Sequence, residues 1–322
     1  MNHSTFPLSR HALLLLCFFM GLAVQSASAA DSADSEVFVQ TAHSLMATRA
    51  VFSPDGARVA VCDGSGRVAL WDAPSGRKVR ELERHAGLCL GLAYAANGTL
   101  LASAGGVRSA NEIGVHRTSD GARLAVLRGH KGLIRELVPA RDGKGLWSLG
   151  EKDGLKRWDL LDVTQGKAPS ADPRPSREFT ITLPDTSDAD LTSLALDPRA
   201  DRLWVARADG KIIEIDFSGA EPRMKLLWQG PDQIAGMHLS PQGDALAVTF
   251  GGMMGAKERA VHVVATANGE VLARLESPKS GDPHKPGVIL SAAFSPDGAR
   301  IAGAGKITNT VTSSRQMQFG LK

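Results

Sequence analysis

The sequence has few of the residues that mark several common functional classes. Its 322 residues include only three cysteines, and their formal net charge is +3. So small a charge gives no reason to expect nucleic-acid binding, and so few cysteines exclude a fold built on a disulfide framework. The sequence also contains no C-x-x-C-H haem-attachment motif and no phosphate-binding P-loop. The fold must therefore be stabilised by its hydrophobic core, and no cofactor is predicted.

Long apolar runs are also missing, except within the first thirty residues. Arg10 and His11 precede an apolar run over residues 12–20, and small residues follow as far as Ala30. This order predicts a cleavable signal peptide over residues 1–30, with the cut after Ala29 or Ala30. The alternative is an uncleaved membrane anchor, for which the run is short. Cleavage would leave residues 31–322 as one exported domain without a membrane span, either periplasmic or secreted.

Repetition is the strongest positive signal in the sequence. The seven residues of Phe52–Arg58 recur identically as Phe294–Arg300, and degenerate copies occupy 94–98, 139–143, 196–200 and 239–243. Proline followed by Asp-Gly favours a tight chain reversal, and short apolar stretches flank each copy. The copies recur every 42 to 57 residues. A period near forty, with local insertions, predicts four-stranded propeller blades rather than a helical solenoid.

A second sequence pattern predicts the third and fourth strands of each repeat. Residues 67–72, 113–116 and 261–264 each precede a Gly-containing turn and another apolar run. Six repeats predict an all-β, six-bladed β-propeller of four-stranded antiparallel blades; a seventh blade would need a further period. The last repeat provides only three strands, at 289–294, 299–304 and 316–319. We expect residues 36–40 to add its fourth strand and close the ring.

Several residues resemble the marks of the WD-repeat family. Trp71-Asp72 and Trp158-Asp159 end third strands, and Gly129-His130 precedes the third unit. The resemblance extends over about residues 37–320 and implies the propeller fold, with a His–Asp–Trp network inside some blades. Ser65 stands where the first unit would have its turn aspartate, and His116, Ile215 and Val264 replace the tryptophan in other units. The structural residues implied by the resemblance are His43, Trp71, Asp72, His85, His130, Asp153, Trp158, Asp159 and Asp209.

Two cysteines, Cys62 and Cys89, remain after signal cleavage. We expect them at comparable heights in the first two blades. A disulfide between the blades is feasible only if their Cα atoms lie within about 7 Å of each other. The alternative is a pair of buried thiols that pack as small hydrophobic groups.

The sequence offers no active site. It has no G-x-S-x-G nucleophile motif, and no cluster of His, Asp and Glu accompanies His116 or His262 to predict a metal site. A set of basic residues gathers in the third unit, interleaved with acidic residues, and we interpret it as a solvated rim rather than an anion-binding patch. These basic residues are Arg141, Lys144, Lys152, Lys156 and Arg157.

The resulting functional hypothesis is a non-enzymatic exported scaffold that binds an unidentified protein or peptide. The resemblance implies protein–protein interaction, and loops that break the repeat are where recognition is expected. One alternative is a regulatory or sensor domain related to larger enzymes such as caspase-like peptidases. Another is a binder of small ligands in the propeller channel. The sequence identifies neither the binding residues nor the oligomeric state.

Overall fold

The repeated phrase forms a turn between two antiparallel strands, as predicted. In the computed structural model of the chain, β1 (Ala47–Phe52) ends at the start of the first phrase and β2 (Arg58–Asp63) begins at its end. The Ser53 hydroxyl donates to Asp55 Oδ1 over 2.5 Å and accepts from the Arg58 amide over 2.9 Å. Gly56 has φ of +69°, which glycine tolerates best. The polar side chains of the phrase therefore form hydrogen bonds within the turn itself.

The structure describes residues 47–107, 110–165, 176–179, 189–219, 221–251, 258, 260–276, 288–294, 298, 300–306 and 317–320. Their strands form successive meanders in chain order. The first two sheets contain β1, β2, β3 (Val68–Asp72) and β4 (Lys78–Glu81), then β5 (Leu88–Ala95), β6 (Leu100–Val107), β7 (Ala110–Arg117) and β8 (Arg123–Arg128). The third contains β9 (Ile134–Pro139), β10 (Gly145–Gly150), β11 (Gly154–Asp159) and β12 (Arg177–Phe179), with a short helix α1 (Leu161–Thr164) after β11.

The remaining sheets follow the same order. The fourth contains β13 (Leu191–Leu196), β14 (Arg202–Arg207), β15 (Lys211–Asp216) and β16 (Arg223–Gln229). The fifth contains β17 (Ile234–Leu239), β18 (Ala245–Phe250), β19 (Val261–Ala265) and β20 (Val271–Leu275). The last contains β21 (Val288–Phe294), β22 (Arg300–Lys306) and β23 (Met317–Gly320).

The all-β propeller architecture with four-stranded antiparallel blades is confirmed, but the predicted number of six such blades is wrong, as is the alternative of seven. Five sheets are four-stranded blades, and the last sheet has three strands among the described residues. The prediction of six blades assigned one blade to each turn phrase. A phrase marks only the first two strands of a sheet, so it cannot guarantee the fourth. The strand expected at 36–40 lies outside the described residues.

The core lies between adjacent sheets. The first strand of each sheet contacts the first strand of the next, from β1 through β5, β9, β13 and β17 to β21. Side chains alternate along β10, so that Leu146 packs with residues of the second blade and Trp147 with residues of the fourth. Central strands are therefore almost continuously apolar because both of their faces are covered. This arrangement explains why their sequences lack the polar–apolar alternation of half-exposed strands.

Replacement of Leu146 by alanine tests this core. Leu146 is fully buried, so Leu146→Ala should lower the free energy of unfolding by about 2–5 kcal/mol, through lost burial and the cavity that remains. Leu226→Ala is the matched control because Leu226 is 50% exposed, and its effect should be within about 0.5 kcal/mol. Urea unfolding followed by tryptophan fluorescence measures both. Equal losses in the two variants would contradict the inter-sheet position of Leu146.

Candidate functional site

Polar side chains link the inner strands of four blades. Arg49 on β1 donates to the Glu136 carboxylate on β9 over 2.8 Å. The second oxygen of Glu136 accepts from the Ser193 hydroxyl over 2.7 Å and from the Leu194 amide over 2.8 Å, both on β13. The Ser193 hydroxyl in turn accepts from the Met237 amide on β17 over 3.1 Å. We call Arg49, Glu136 and Ser193 the inner-strand network; its hydrogen-bonding groups are engaged in joining blades.

The two cysteines lie side by side in the first two blades. Cys62 and Cys89 are free thiols and fully buried in the structure. The Cys62 sulfur lies 3.4 Å from the Cys89 carbonyl oxygen, and the Thr48 hydroxyl donates to the Cys62 carbonyl over 3.2 Å. Burial raises the pKa of the Cys89 thiol, which disfavours the reactive thiolate. The two thiols are thus unbridged in this structure, and their pairing by oxidation stays an untested hypothesis.

The third blade brings together three of the residues singled out by the family resemblance. The Trp158 indole donates to the Ser148 hydroxyl over 2.8 Å, and that hydroxyl donates to His130 Nε2 over 2.6 Å. His130 Nδ1 then donates to Asp153 over 2.9 Å. Burial opposes ionisation of Asp153, but its hydrogen bonds from His130 and the Lys131 amide outweigh burial and lower its pKa. These buried hydrogen bonds connect β10 and β11, the turn between them, and the segment that precedes β9.

The second blade has a shorter version of this chain. His85 Nε2 and the Ser103 hydroxyl are 2.8 Å apart. At the position that Trp158 has in the third blade, the second blade has His116. Among the described residues neither ring nitrogen of His116 has a hydrogen-bond partner. Burial is the main reason that the pKa of His116 falls to about 4. Ser103 and Ser148 were not predicted, although each follows its histidine by 18 residues. That equal spacing is the signal by which the sequence identifies them.

The other residues implied by the resemblance occupy turns or the core. Asp72 and Asp159 cap turns, accepting from the Ser75 and Leu161 amides over 2.9 and 2.8 Å. Trp71 is buried, and Asp209 forms a 2.9 Å ion pair with Arg207. In the first unit the acid of the turn is the buried Asp63, which accepts from the Ser65 amide over 2.8 Å. His43 lies outside the described residues.

The basic residues of the third unit divide between opposite edges of the blade. Lys152 lies at the β10–β11 turn, and Lys156 on β11 reaches back towards it, with its ammonium 3.6 Å from Asp153. Arg141 lies at the β9–β10 turn, and Arg157 forms an ion pair there with Asp142. β10 crosses the sheet between these two groups, so the apparent charge cluster of the sequence is not one patch.

The edge with Arg141 contains a cavity of about 580 Å³ between the third and fourth blades, which we call the inter-blade groove. Trp147 and Phe217 form its aromatic floor, with ring centroids 5.1 Å apart. Arg141 spans the groove, donating to the Arg199 carbonyl over 3.0 Å and lying 3.2 Å from Asp201. The lining residues are Ala140, Arg141, Asp142, Trp147, Arg157, Leu196, Ala200, Asp201, Arg202 and Phe217.

The inter-blade groove is our candidate binding site. Within the described part of the chain, no group of three or more His, Cys, Asp or Glu residues is arranged to hold a metal ion. The same part contains no helix with the length and apolar character needed to cross a membrane. The groove combines an apolar floor with a few charged groups, as ligand sites commonly do.

Comparisons with known proteins agree with the fold. The family model "WD domain, G-beta repeat" matches residues 35–72. Meiotic recombination protein rec14 of Schizosaccharomyces pombe is 28% identical over 113 residues, which span 35% of this chain and only 36% of rec14. The β-propeller domain of Cps50 (Swd1) from Myceliophteria thermophila aligns with a TM-score of 0.60 and 18% identity, covering 82% of this chain and 80% of that one. A chain of the Mitotic Checkpoint Complex aligns with a TM-score of 0.61 and 20% identity, covering 82% and 73%. At these identities the structural matches establish the fold alone.

The buried His116 predicts a specific loss of stability in acid. Its pKa of about 4 in the folded chain lies below the usual value of about 6.5. The contribution of the neutral ring to the free energy of unfolding is therefore complete above pH 6.5 and is lost as the pH falls towards 4. The loss amounts to at most about 3 kcal/mol. His116→Phe and His116→Leu should flatten the pH dependence of the urea midpoint between pH 7.5 and 4.5. Unchanged pH dependence in both variants would contradict the buried, unpaired position of this ring.

Proposed function

The repeat match and the fold support membership of the WD-repeat β-propeller family, and from this premise we propose that the chain is a non-enzymatic scaffold for another protein or peptide. The inner-strand network carries the proposal. Arg49, Glu136 and Ser193 hold inner strands of different blades in fixed positions, so the turns at the sheet edges are displayed at fixed separations. Loops held by a rigid frame are well suited to recognition.

The same network favours a scaffold over a binder of small ligands in the channel. A channel ligand would need polar groups on the inner strands that are available for hydrogen bonding. Arg49 already donates to Glu136, and both oxygens of that carboxylate accept hydrogen bonds. The chain also shares its fold with a chain of the Mitotic Checkpoint Complex, which is a protein assembly.

Capture of a partner tests the scaffold proposal. The chain carrying a C-terminal affinity tag, isolated from the periplasmic fraction of its host after mild cross-linking, should retain the same protein in repeated preparations. Excess untagged chain should displace that protein, whereas an unrelated exported protein should not. Recovery of no displaceable partner, or turnover of a substrate by the isolated chain, would refute the proposal.

Export is the second part of the proposal, and processing of the N-terminus tests it. Protein from the periplasmic fraction should begin at Ala30 or Asp31, as measured by intact mass. Leu15→Arg, which interrupts the apolar run, should leave an unprocessed chain in the cytoplasm, whereas Leu15→Ile should be processed normally. A wild-type chain that keeps residues 1–30 in the membrane fraction would instead support the anchor alternative.

A further inference from the structure

We propose that the inter-blade groove binds a peptide segment in which a large apolar or aromatic side chain lies within a few residues of Asp or Glu. This inference rests on the proposed scaffold function and specifies its partner. It comes from the placement of two aromatic rings and one exchangeable arginine between the third and fourth blades.

The floor of the groove provides the site for the apolar side chain. Trp147 comes from β10 of the third blade, and Phe217 directly follows β15 of the fourth. Trp147 is buried and Phe217 half-buried, with their rings tilted by 37°. Small side chains, Ala140 and Ala200, leave space beside them. Aromatic rings held in place by a core can accept an apolar or aromatic side chain at little entropic cost.

The charges of the groove select the second feature of the peptide. Arg157 pairs with Asp142. Arg202 pairs with Asp197 over 2.8 Å, and its guanidinium lies 4.9 Å from the centre of the Trp204 ring. These two arginines are thereby held by carboxylates of their own blades, within the third and fourth sheets.

Arg141 differs because its carboxylate partner lies across the groove. The Arg141 and Asp201 side chains are 46% and 60% exposed, and an ion pair so exposed contributes little to stability. A carboxylate from a bound peptide can therefore replace Asp201 at Arg141, where a guanidinium can offer two parallel hydrogen bonds.

The surrounding charge favours an acidic rather than a basic peptide. Among the charged residues that line the groove, Arg141, Arg157 and Arg202 are cationic, and only Asp142 and Asp201 are acidic. Lys144 and Arg199 are both exposed on this edge. A basic peptide would have to compete with Arg141 for Asp201 in a region of net positive charge, which is unfavourable.

Selection from a random dodecapeptide phage library tests the inference. The immobilised full chain should enrich sequences that combine an aromatic or large aliphatic residue with a nearby Asp or Glu. Enriched peptides, synthesised with a fluorescein label, are then measured by anisotropy. Arg141→Glu should weaken their binding by at least about tenfold. Arg117→Glu is the matched control, since Arg117 is also 46% exposed and pairs with an aspartate; it should change binding less than twofold.

Asp201→Asn gives the sharper test because its expected effect has the opposite sign. Removal of the competing carboxylate should tighten binding by about two- to fivefold, which corresponds to the loss of one weak surface ion pair. A merely structural role of the pair would give weaker binding in both variants. Failure to enrich any peptide, enrichment of basic peptides, or equal effects of Arg141→Glu and Arg117→Glu would overturn the inference.

Partner capture separates this inference from the scaffold proposal. If Arg141→Glu retains the same displaceable partner as the wild-type chain, the groove inference fails for that partner and the scaffold function stands. If the wild-type chain captures no partner but binds the selected peptides at the groove, the scaffold proposal fails instead.

Discussion

The Glu136 carboxylate is the constraint on which the arrangement of the inner strands depends. It is a largely buried charge that receives hydrogen bonds from Arg49 on one side and from Ser193 and the Leu194 amide on the other. A buried carboxylate is stable only when such partners compensate for its lost hydration. The first, third and fourth blades must therefore keep their relative positions, and the polar groups that a channel site would need are engaged in holding them. In the scaffold that we propose, recognition is therefore assigned to the edges of the sheets.

The hydrogen-bond networks inside individual blades differ from one blade to another, and the fold tolerates this difference. The third blade joins Trp158, Ser148, His130 and Asp153 in one chain of hydrogen bonds. The second blade retains only the histidine–serine contact and buries the His116 ring without a hydrogen-bond partner in the described structure. Burial of apolar side chains between the sheets is the larger and less directional contribution to stability. Individual networks can therefore be shortened without loss of the architecture.

Features set by short-range interactions were predictable from the sequence, whereas features set by contacts between distant segments were not. The turn at Phe52–Arg58 was predictable because Pro, Asp and Gly act on the backbone within a few residues. The blade count failed because strand pairing depends on distant segments that no turn phrase specifies. The inter-blade groove was invisible for the same reason, since Trp147 and Phe217 belong to different blades. The five basic residues of the third unit seemed to form one rim, but β10 carries the chain from one sheet edge to the other and separates them.

Successive side chains of β10 face opposite sides of the sheet, so one strand contributes both to the core and to the groove. Leu146 enters the core between the second and third blades, and the next residue, Trp147, enters the core between the third and fourth and also forms the groove floor. The floor therefore inherits the rigidity of close packing. The rim does not, because Arg141 and Asp201 are largely exposed and meet only across the gap. A fixed apolar floor beneath an exchangeable ion pair lets the groove discriminate by charge without disturbing the blades that form it.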